Sequence, residues 1–510
     1  MSEHTMSEGG LLTAPSRTAD VGIRLQLPPR YTLMFFALLA ALYAAILVAK
    51  FSLWQANALQ ADWTYYNNIF WNTNFRDLWL FSYDRFHVHG YRTYLNEHFA
   101  PLLIPMAAFY QVFPWREAFL LALHGASPIL TAIGIRAIGL RLLDDRWLAT
   151  MIGLVFAFNP GILWPTISLV YGFEPDSLLP PCAALLAYGL VTRRNGLYFA
   201  GLLLGCGIKE NVPAYGVILG LCLIFFAGRR RLGVWTAVIS LAIFFVASKG
   251  VPYLTGVQNQ NVEIVWHFLD NLIHLRPTMD YTLPEIAFAA VYCSFFLPAL
   301  LVWPYLAMIG PDILAIGQVA WATTGTWHVM LPVAVLGIAS VFGTQRFLAG
   351  APSGVMVGLD RRWVATFYWR LALALSLIAG PATLWLAYSR YIAQAVPIDR
   401  AALAEAVKLV PPQAGIITSN DLDQYFAHRK IVTTRPILLR KTSSDFSYIA
   451  VNRNAVLAAR HQGKARESLD NDICLIEIAE TAAKTKGAVV LDRGRLLVVK
   501  LSGQPIVDCK

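Results

Sequence analysis

Five short polar clusters interrupt long apolar runs in this chain. The first is Asp62-Trp63-Thr64-Tyr65-Tyr66-Asn67-Asn68-Ile69-Phe70-Trp71-Asn72, and the second is Asn96-Glu97-His98-Phe99-Ala100-Pro101. The third is Tyr171-Gly172-Phe173-Glu174-Pro175-Asp176, the fourth Gly207-Ile208-Lys209-Glu210-Asn211, and the fifth Trp327-His328-Val329-Met330-Leu331-Pro332. Together they supply carboxylates, imidazoles and one lysine. A carboxylate or imidazole can move a proton, and a lysine can stabilise a departing anion. Ionisable groups near membrane depth are costly and are therefore functional candidates by default.

Each cluster also has a plain structural explanation. Asp62 could cap a juxtamembrane helix, since aspartate is a preferred N-cap. Glu97 and His98 could be a wet loop pair. Glu174 and Asp176 flank Pro175 and could solvate a turn, and Lys209 with Glu210 could snorkel from a helix end. Five clusters on one face are harder to dismiss than any one of them. His87-Val88-His89 is too weak a signal for a metal site, so no metal ligands are predicted. No nucleotide-phosphate motif stands in a suitable context. The cofactor is left open, divalent metal included.

The elements that must position these clusters are membrane helices. Of 510 residues, 57% are hydrophobic and 14% charged, against about 25% charged in a soluble domain. The net charge of +10 sits mainly in short loops between apolar runs, where topology explains it. Nucleic acid is therefore not an expected partner. Residues 1–30 read as a polar cytoplasmic N-terminus. The run 31–48 lacks a clear cleavage site and reads as a retained first span. Further spans are expected at 118–140, 147–169 (broken near Asn159-Pro160-Gly161), 178–191, 197–208, 212–226, 232–247, 286–308, 313–324, 328–341 and 369–386. The segment 99–113, interrupted by Pro101 and Pro105, is too short to span and reads as juxtamembrane or re-entrant.

This gives about eleven transmembrane helices in a domain over 31–388, with outer loops at 50–98 and 249–285. The Arg141/Arg146, Arg193/Arg194, Arg229–Arg231 and Arg361/Arg362 clusters fall on one side. That assigns the N-terminus to the cytoplasm and residues 389–510 to the outside. This tail reads as a small α/β unit, with strands expected at 415–419, 430–434 and 448–452, a helix at 421–428, and a hairpin from 488–491 and 496–501. Cys474 and Cys509 lie in the tail and either pair in an oxidising compartment or stay free. The other four cysteines, in or beside apolar runs, read as small core residues.

The clusters resemble a known family. Asp62 through Asn72 is similar to the pattern Asp-Leu-Gly-x-Phe-Asp-Gln-x-x-Trp-Asn of a prokaryotic family of polytopic membrane proteins known as a domain of unknown function. His98-Phe99-Ala100-Pro101 resembles its His-Phe-Ser-Pro, and Gly172 through Asp176 its Gly-Phe-His-Pro-Glu. Lys209-Glu210-Asn211 resembles its Lys-Glu-Asp, and Trp327-His328 with Pro332 its His-Tyr segment. The likeness extends over roughly residues 50–450. The chain departs from the pattern at Asn67, Asn68, Glu174 and Asn211.

That family in turn resembles the GT-C glycosyltransferases, polytopic enzymes that take sugar from a polyprenyl-phosphate carrier on the outer face of the membrane. The resemblance implies an all-α, GT-C-like membrane domain with a small C-terminal extracytoplasmic α/β domain, in a bacterial plasma membrane. It implies inverting transfer to a glycan, lipid or protein acceptor, with Asp62 as general base. Glu97, His98, Glu174, Asp176, Lys209, Glu210 and His328 would bind substrate, Lys209 toward the phosphate. Two rival classes are a lipid or solute transporter, which broken helices and intramembrane charge also fit, and a non-catalytic membrane assembly protein.

Overall fold

The structure is a computed structural model that describes residues 30–59, 61–76, 79–167, 172–257, 293–302, 330–350, 360–393, 395, 398–454, 466–485 and 488–501. Its helices are α1 (Arg30–Gln55), α2 (Ala61–Trp71), α3 (Tyr83–His89), α4 (Leu103–Val112), α5 (Arg116–Leu142), α6 (Arg146–Ala157), α7 (Pro160–Ile167), α8 (Leu179–Val191), α9 (Asn195–Cys206) and α10 (Val212–Phe225). Then come α11 (Arg230–Thr255), α12 (Met330–Leu348) and α13 (Arg361–Ile392). The tail adds α14 (Arg400–Leu409) and α15 (Arg466–Ala483).

Among the described residues, α1, α5, α11, α12 and α13 are long and apolar enough to cross a membrane. The shortest, at 19 residues, covers about 29 Å at 1.5 Å per residue, close to the ~30 Å of a hydrocarbon core. A sixth candidate is the pair α6 and α7, bent by 40°. The break falls where the sequence places it. Asn159 Oδ1 accepts from Gly161 N at 2.8 Å, and Pro160 starts the new helix, where a missing N–H costs nothing. Helices α9 and α10, at 12 and 14 residues, are short for spans, as is α4 at ten. The expected span 313–324 lies outside the described residues. Within 286–308 the described part holds a 3₁₀ turn, Leu297–Val302.

Lipid tails are as apolar as leucine, so helices in a bilayer associate through close packing of small residues. Gly189 on α8 leaves no room for a Cβ beside the backbone of Tyr198, and Gly201 on α9 none beside Leu186. The main core is formed by α1, α5, α6, α7, α12 and α13, with Phe35, Ile46, Leu120, Ile135, Phe156, Leu163, Val333 and Trp369 buried.

Basic clusters share one end of this bundle. Arg136 Nη2 donates to Thr32 Oγ1 at 2.7 Å, Arg229 Nη1 to the Leu190 carbonyl at 2.9 Å, and Arg362 pairs with Asp145 at 3.2 Å. At the opposite end of α1, Arg400 Nη2 donates to the Gln55 carbonyl at 2.8 Å. The tail therefore sits at the end of the bundle away from these arginines.

The tail is a five-stranded sheet of β1 (Ile416–Thr418), β2 (Val432–Thr433), β3 (Tyr448–Asn452), β4 (Val489–Arg493) and β5 (Leu496–Lys500), in the order β2-β1-β3-β5-β4. Strand β1 runs parallel to β2 and β3, and β5 antiparallel to β3 and β4. Strand alternation sends Ile417, Ile449 and Val499 onto α15, and Ile416, Ala450 and Val498 onto α14. The strands and the hairpin lie where the sequence predicts them, with Gly494 at φ +61° in the turn. The expected helix 421–428 is a 3₁₀ turn, Asp423–Phe426. Cys474 is disulfide-bonded and Cys509 lies outside the described residues. Cys182, Cys206, Cys222 and Cys293 are free.

If the arginine-bearing end is cytoplasmic, a reporter fused after position 395 should read extracytoplasmic and one inserted at 227–229 cytoplasmic. Both reporters on one side would overturn the topology.

Candidate functional site

Four of the five clusters meet at the tail-bearing end of the bundle. Their scaffold is α2, which packs against α4 and the 3₁₀ turn of the tail. Position 62 lies in the first turn of α2, one helical turn before Tyr65 and Tyr66. It is the second helical residue rather than the one that caps it. Tyr65 OH donates to Glu97 Oε2 at 2.8 Å, and Arg85 from α3 holds the other oxygen of Glu97 at 2.8 Å. Tyr66 OH donates to Glu174 Oε1 at 3.1 Å. A phenol has one proton, so in its 3.0 Å contact with Tyr66 Tyr94 is the donor. Rings of Phe173 and Tyr94 pack edge-on to Tyr66, with centroids 5.5 and 5.9 Å away.

The remaining cluster, Gly207–Asn211, closes the floor against the second and third. Lys209 Nζ donates to Asp176 Oδ2. Glu210 accepts from the Phe99 backbone N–H at 3.1 Å and pairs with His98 Nδ1 at 3.0 Å. Asp176, Lys209, Glu210 and Glu174 are all buried. Their charges hold one another in place. Burial pushes the Lys209 ammonium down, but Asp176, Glu210 and Glu174 outweigh it and hold its pKa above the ordinary value. Burial likewise opposes charge on His98, yet Glu210 raises it. Burial would raise Glu210, but His98 and Lys209 bring it below its ordinary value. This is a floor of paired ionisable groups rather than an apolar cavity.

The Gly172–Asp176 loop is supported from below. Lys50 Nζ on α1 donates to the Thr166 carbonyl near the end of α7 at 2.9 Å and lies 3.2 Å from His124 Nδ1. His124 Nδ1 is also 3.1 Å from the Gly172 carbonyl. Trp63 of α2 covers Gly172 so closely that no Cβ fits there, which accounts for glycine at that place in the motif.

The structure thus brings together Glu97, His98, Glu174, Asp176, Lys209 and Glu210, and places Asp62 on the helix that faces them. His328 lies outside the described residues. Sequence reasoning missed Tyr65 and Tyr66 as the hydroxyl groups that bind the carboxylates, and Tyr94 as the partner of Tyr66. It also missed Lys50 and His124, although a lysine directly after an apolar run of spanning length was a usable signal. Two of the four positions where the chain departs from the family pattern, Asn67 and Asn68, make structural bonds here. Asn67 Nδ2 donates to the Trp63 carbonyl and its Oδ1 accepts from Tyr110, both at 2.8 Å. Asn68 Nδ2 donates to the Ala427 and Arg429 carbonyls of the tail, both at 2.8 Å. Among the described residues, no three His, Cys, Asp or Glu side chains converge as a metal site.

Apolar helices of spanning length, with a charged cluster at one end and an α/β unit over it, define a multi-pass membrane protein with a polar site at one face. The chain belongs to the family described as "Predicted membrane protein (DUF2079)", whose model matches residues 62–474. No curated protein matches it. Among solved structures it is similar to ArnT from Cupriavidus metallidurans in the apo state, with 12% identity, TM-score 0.46, and coverage of 92% of this chain and 97% of that one. It is also similar to the same protein bound to undecaprenyl phosphate, with 14% identity, TM-score 0.49, and coverage of 92% and 98%.

The His98–Glu210 pair gives a pH prediction. The raised His98 pKa contributes stability that is full below the ordinary value of 6.5 and is lost as pH rises through the folded value above it. The lowered Glu210 pKa contributes stability present above 4.5 and lost as pH falls through the folded value below it. Glu210→Gln should therefore cost about 1–2 kcal/mol near pH 6, and the difference in melting temperature from wild type should shrink by pH 9. A difference that does not change with pH would show that the pair carries no charge.

Proposed function

We propose that this protein is a membrane glycosyltransferase of the GT-C kind, moving a sugar from a polyprenyl-phosphate carrier to an acceptor hydroxyl at the outer face. The observation that supports the reading is the meeting of four motif clusters at one end of the bundle, with an aspartate in the first turn of α2 and a buried lysine paired with Asp176. The reaction itself comes from the resemblance of the motifs to the family pattern; the geometry supplies a compatible setting.

In the proposed step the acceptor oxygen attacks the anomeric carbon from the face opposite the carrier. Asp62 takes the acceptor proton as the new C–O bond forms, and the bond from the anomeric carbon to the phosphate oxygen breaks with its electron pair going to the phosphate. The anion departs toward Lys209. An ammonium has three donors and Asp176 takes one, so Lys209 can donate to a phosphate oxygen without leaving its carboxylate. Tyr65, Tyr66 and Tyr94 offer a ring and hydroxyl wall of the kind that suits a sugar. Glu97, His98, Glu174 and Glu210 hold that wall and floor in place, and His328 is a further candidate for substrate contact.

Positioned base catalysis is worth about 10²–10⁴-fold. Asp62→Asn should lower transfer from a polyprenyl-phosphate sugar by about that factor. The stability change should stay near 1 kcal/mol, the worth of one charge in a first helical turn. Asp62→Glu should be impaired as well, because roughly 1 Å of displacement can cost about 10²-fold. Normal turnover by purified, folded Asp62→Asn protein would remove Asp62 from the chemistry.

A further inference from the structure

Two successive turns of α2 and the residue just after it are hydrogen-bonded to the tail along one stripe. Thr64 Oγ1 donates to Asp423 Oδ1 at 2.7 Å. Asn68 Nδ2 donates to the Ala427 and Arg429 carbonyls, and Asn72 Nδ2 to the Lys430 carbonyl at 3.4 Å. Just before α2, Asn57 Nδ2 donates to the Asp421 carbonyl at 2.8 Å. The contacts advance in step, from 57 to 72 on one side and from 421 to 430 on the other. The loop from β1 to β2 therefore lies along the whole of α2.

That loop leaves the carboxyl end of β1 beside the carboxyl end of β3. In an open parallel sheet this is where ligands sit, in the crevice where connections diverge. Here the crevice is built and filled from within the chain. Asp421 accepts from Ser419 Oγ at 2.7 Å and Asn452 Nδ2 at 2.6 Å, while Asp472 accepts from the backbone and side chain of Asn420 at 2.9 and 3.0 Å. These bonds fix the loop, and Asn57 and Thr64 of the membrane domain occupy its outer side.

The stripe 64, 68, 72 follows an i, i+4, i+8 repeat. Position 62 is 200° around the helix from 64, and Tyr66, which binds Glu174, is only 40° from position 62. A helix with one face tied to the tail and the other facing the charged cluster has its rotation set from both sides. We propose that the C-terminal unit is a positioning element for α2, acting through Thr64, Asn68 and Asp423, and that it fixes the angle at which position 62 is presented to the Glu174–Lys209 cluster. This rests on the reading of α2 as the wall that carries the base, but it goes beyond that reading by assigning a role to the tail.

The test is amide hydrogen exchange of the full chain in a lipid nanodisc. Thr64→Val with Asn68→Leu removes the stripe while keeping α2 apolar enough to stay packed. Amides of residues 61–72 should then exchange about tenfold faster or more, with those of α5 and α12 unchanged. Thr64→Val alone is the milder variant and should move the same amides in the same direction. Thr64→Ser, which keeps the hydroxyl, should restore wild-type protection. Arg453→Ala, which breaks the surface pairs with Glu480 and Asp492, should leave α2 as it is. Unchanged exchange in α2 after loss of the stripe, or equal loosening by Arg453→Ala, would overturn the proposal. The readout is exchange and not turnover, so failure of the glycosyl-transfer reading at Asp62 and failure of this one show up in separate experiments.

Discussion

The buried pairing of Lys209 with Asp176 is the constraint on which the site depends. One partner comes from the turn between α9 and α10, the other from the loop before α8. A charge removed from water costs several kcal/mol unless it is matched, so neither side chain is tolerated at its place without the other. Once the pair forms, the loop carrying Glu174 is placed under Tyr66, and the turn carrying Glu210 is placed beside His98. Two loops far apart in the chain are thus locked into one floor, and the short helices α8, α9 and α10 are located by that lock as much as by their own apolar faces.

The second constraint is on α2, which is held between unlike surfaces. One side meets phenol and carboxylate chemistry, the other a line of backbone carbonyls from the tail. Side-chain amides suit the second surface because each donates without carrying charge, so Asn68 and Asn72 reach carbonyls that a carboxylate would repel. This gives a physical reason for a side-chain amide at position 68, which the glutamine of the family pattern also carries. It also gives one for Asn67, whose amide must donate to the Trp63 carbonyl while accepting from Tyr110.

Much of this was legible in the sequence. Apolar runs and the Asn159-Pro160 break gave the long helices and the bend, because helix length and proline chemistry are local properties. The tail strands were legible for the same reason, since alternation and the turn at Gly494 are set by near neighbours. The convergence of Glu97, His98, Glu174, Asp176, Lys209 and Glu210 was expected from the one-sidedness of the clusters. Their pairings were not. Whether Lys209 meets Asp176 or Glu174 depends on how two loops cross in space, which no short-range pattern encodes. The role of Asn68 was illegible too, because its partners, Ala427 and Arg429, contribute backbone rather than side chains. The supporting place of Lys50 beneath the site was illegible as well, because its partners Thr166 and His124 lie 116 and 74 positions away.

The stripe on α2 also has a consequence in time. Thr64 and its partner Asp423 are separated by 359 positions. At the usual ~5–20 residues per second of synthesis, the helix leaves the ribosome about 20–70 s before the loop that will hold it. During that interval the Thr64 hydroxyl and the Asn68 amide lack the partners that the tail will supply. The tail must fold against the helices before they are met. The last step in the assembly of a newly inserted chain is therefore the docking of its own C-terminal unit, and truncation anywhere before β2 leaves α2 unsupported even with every spanning helix in place.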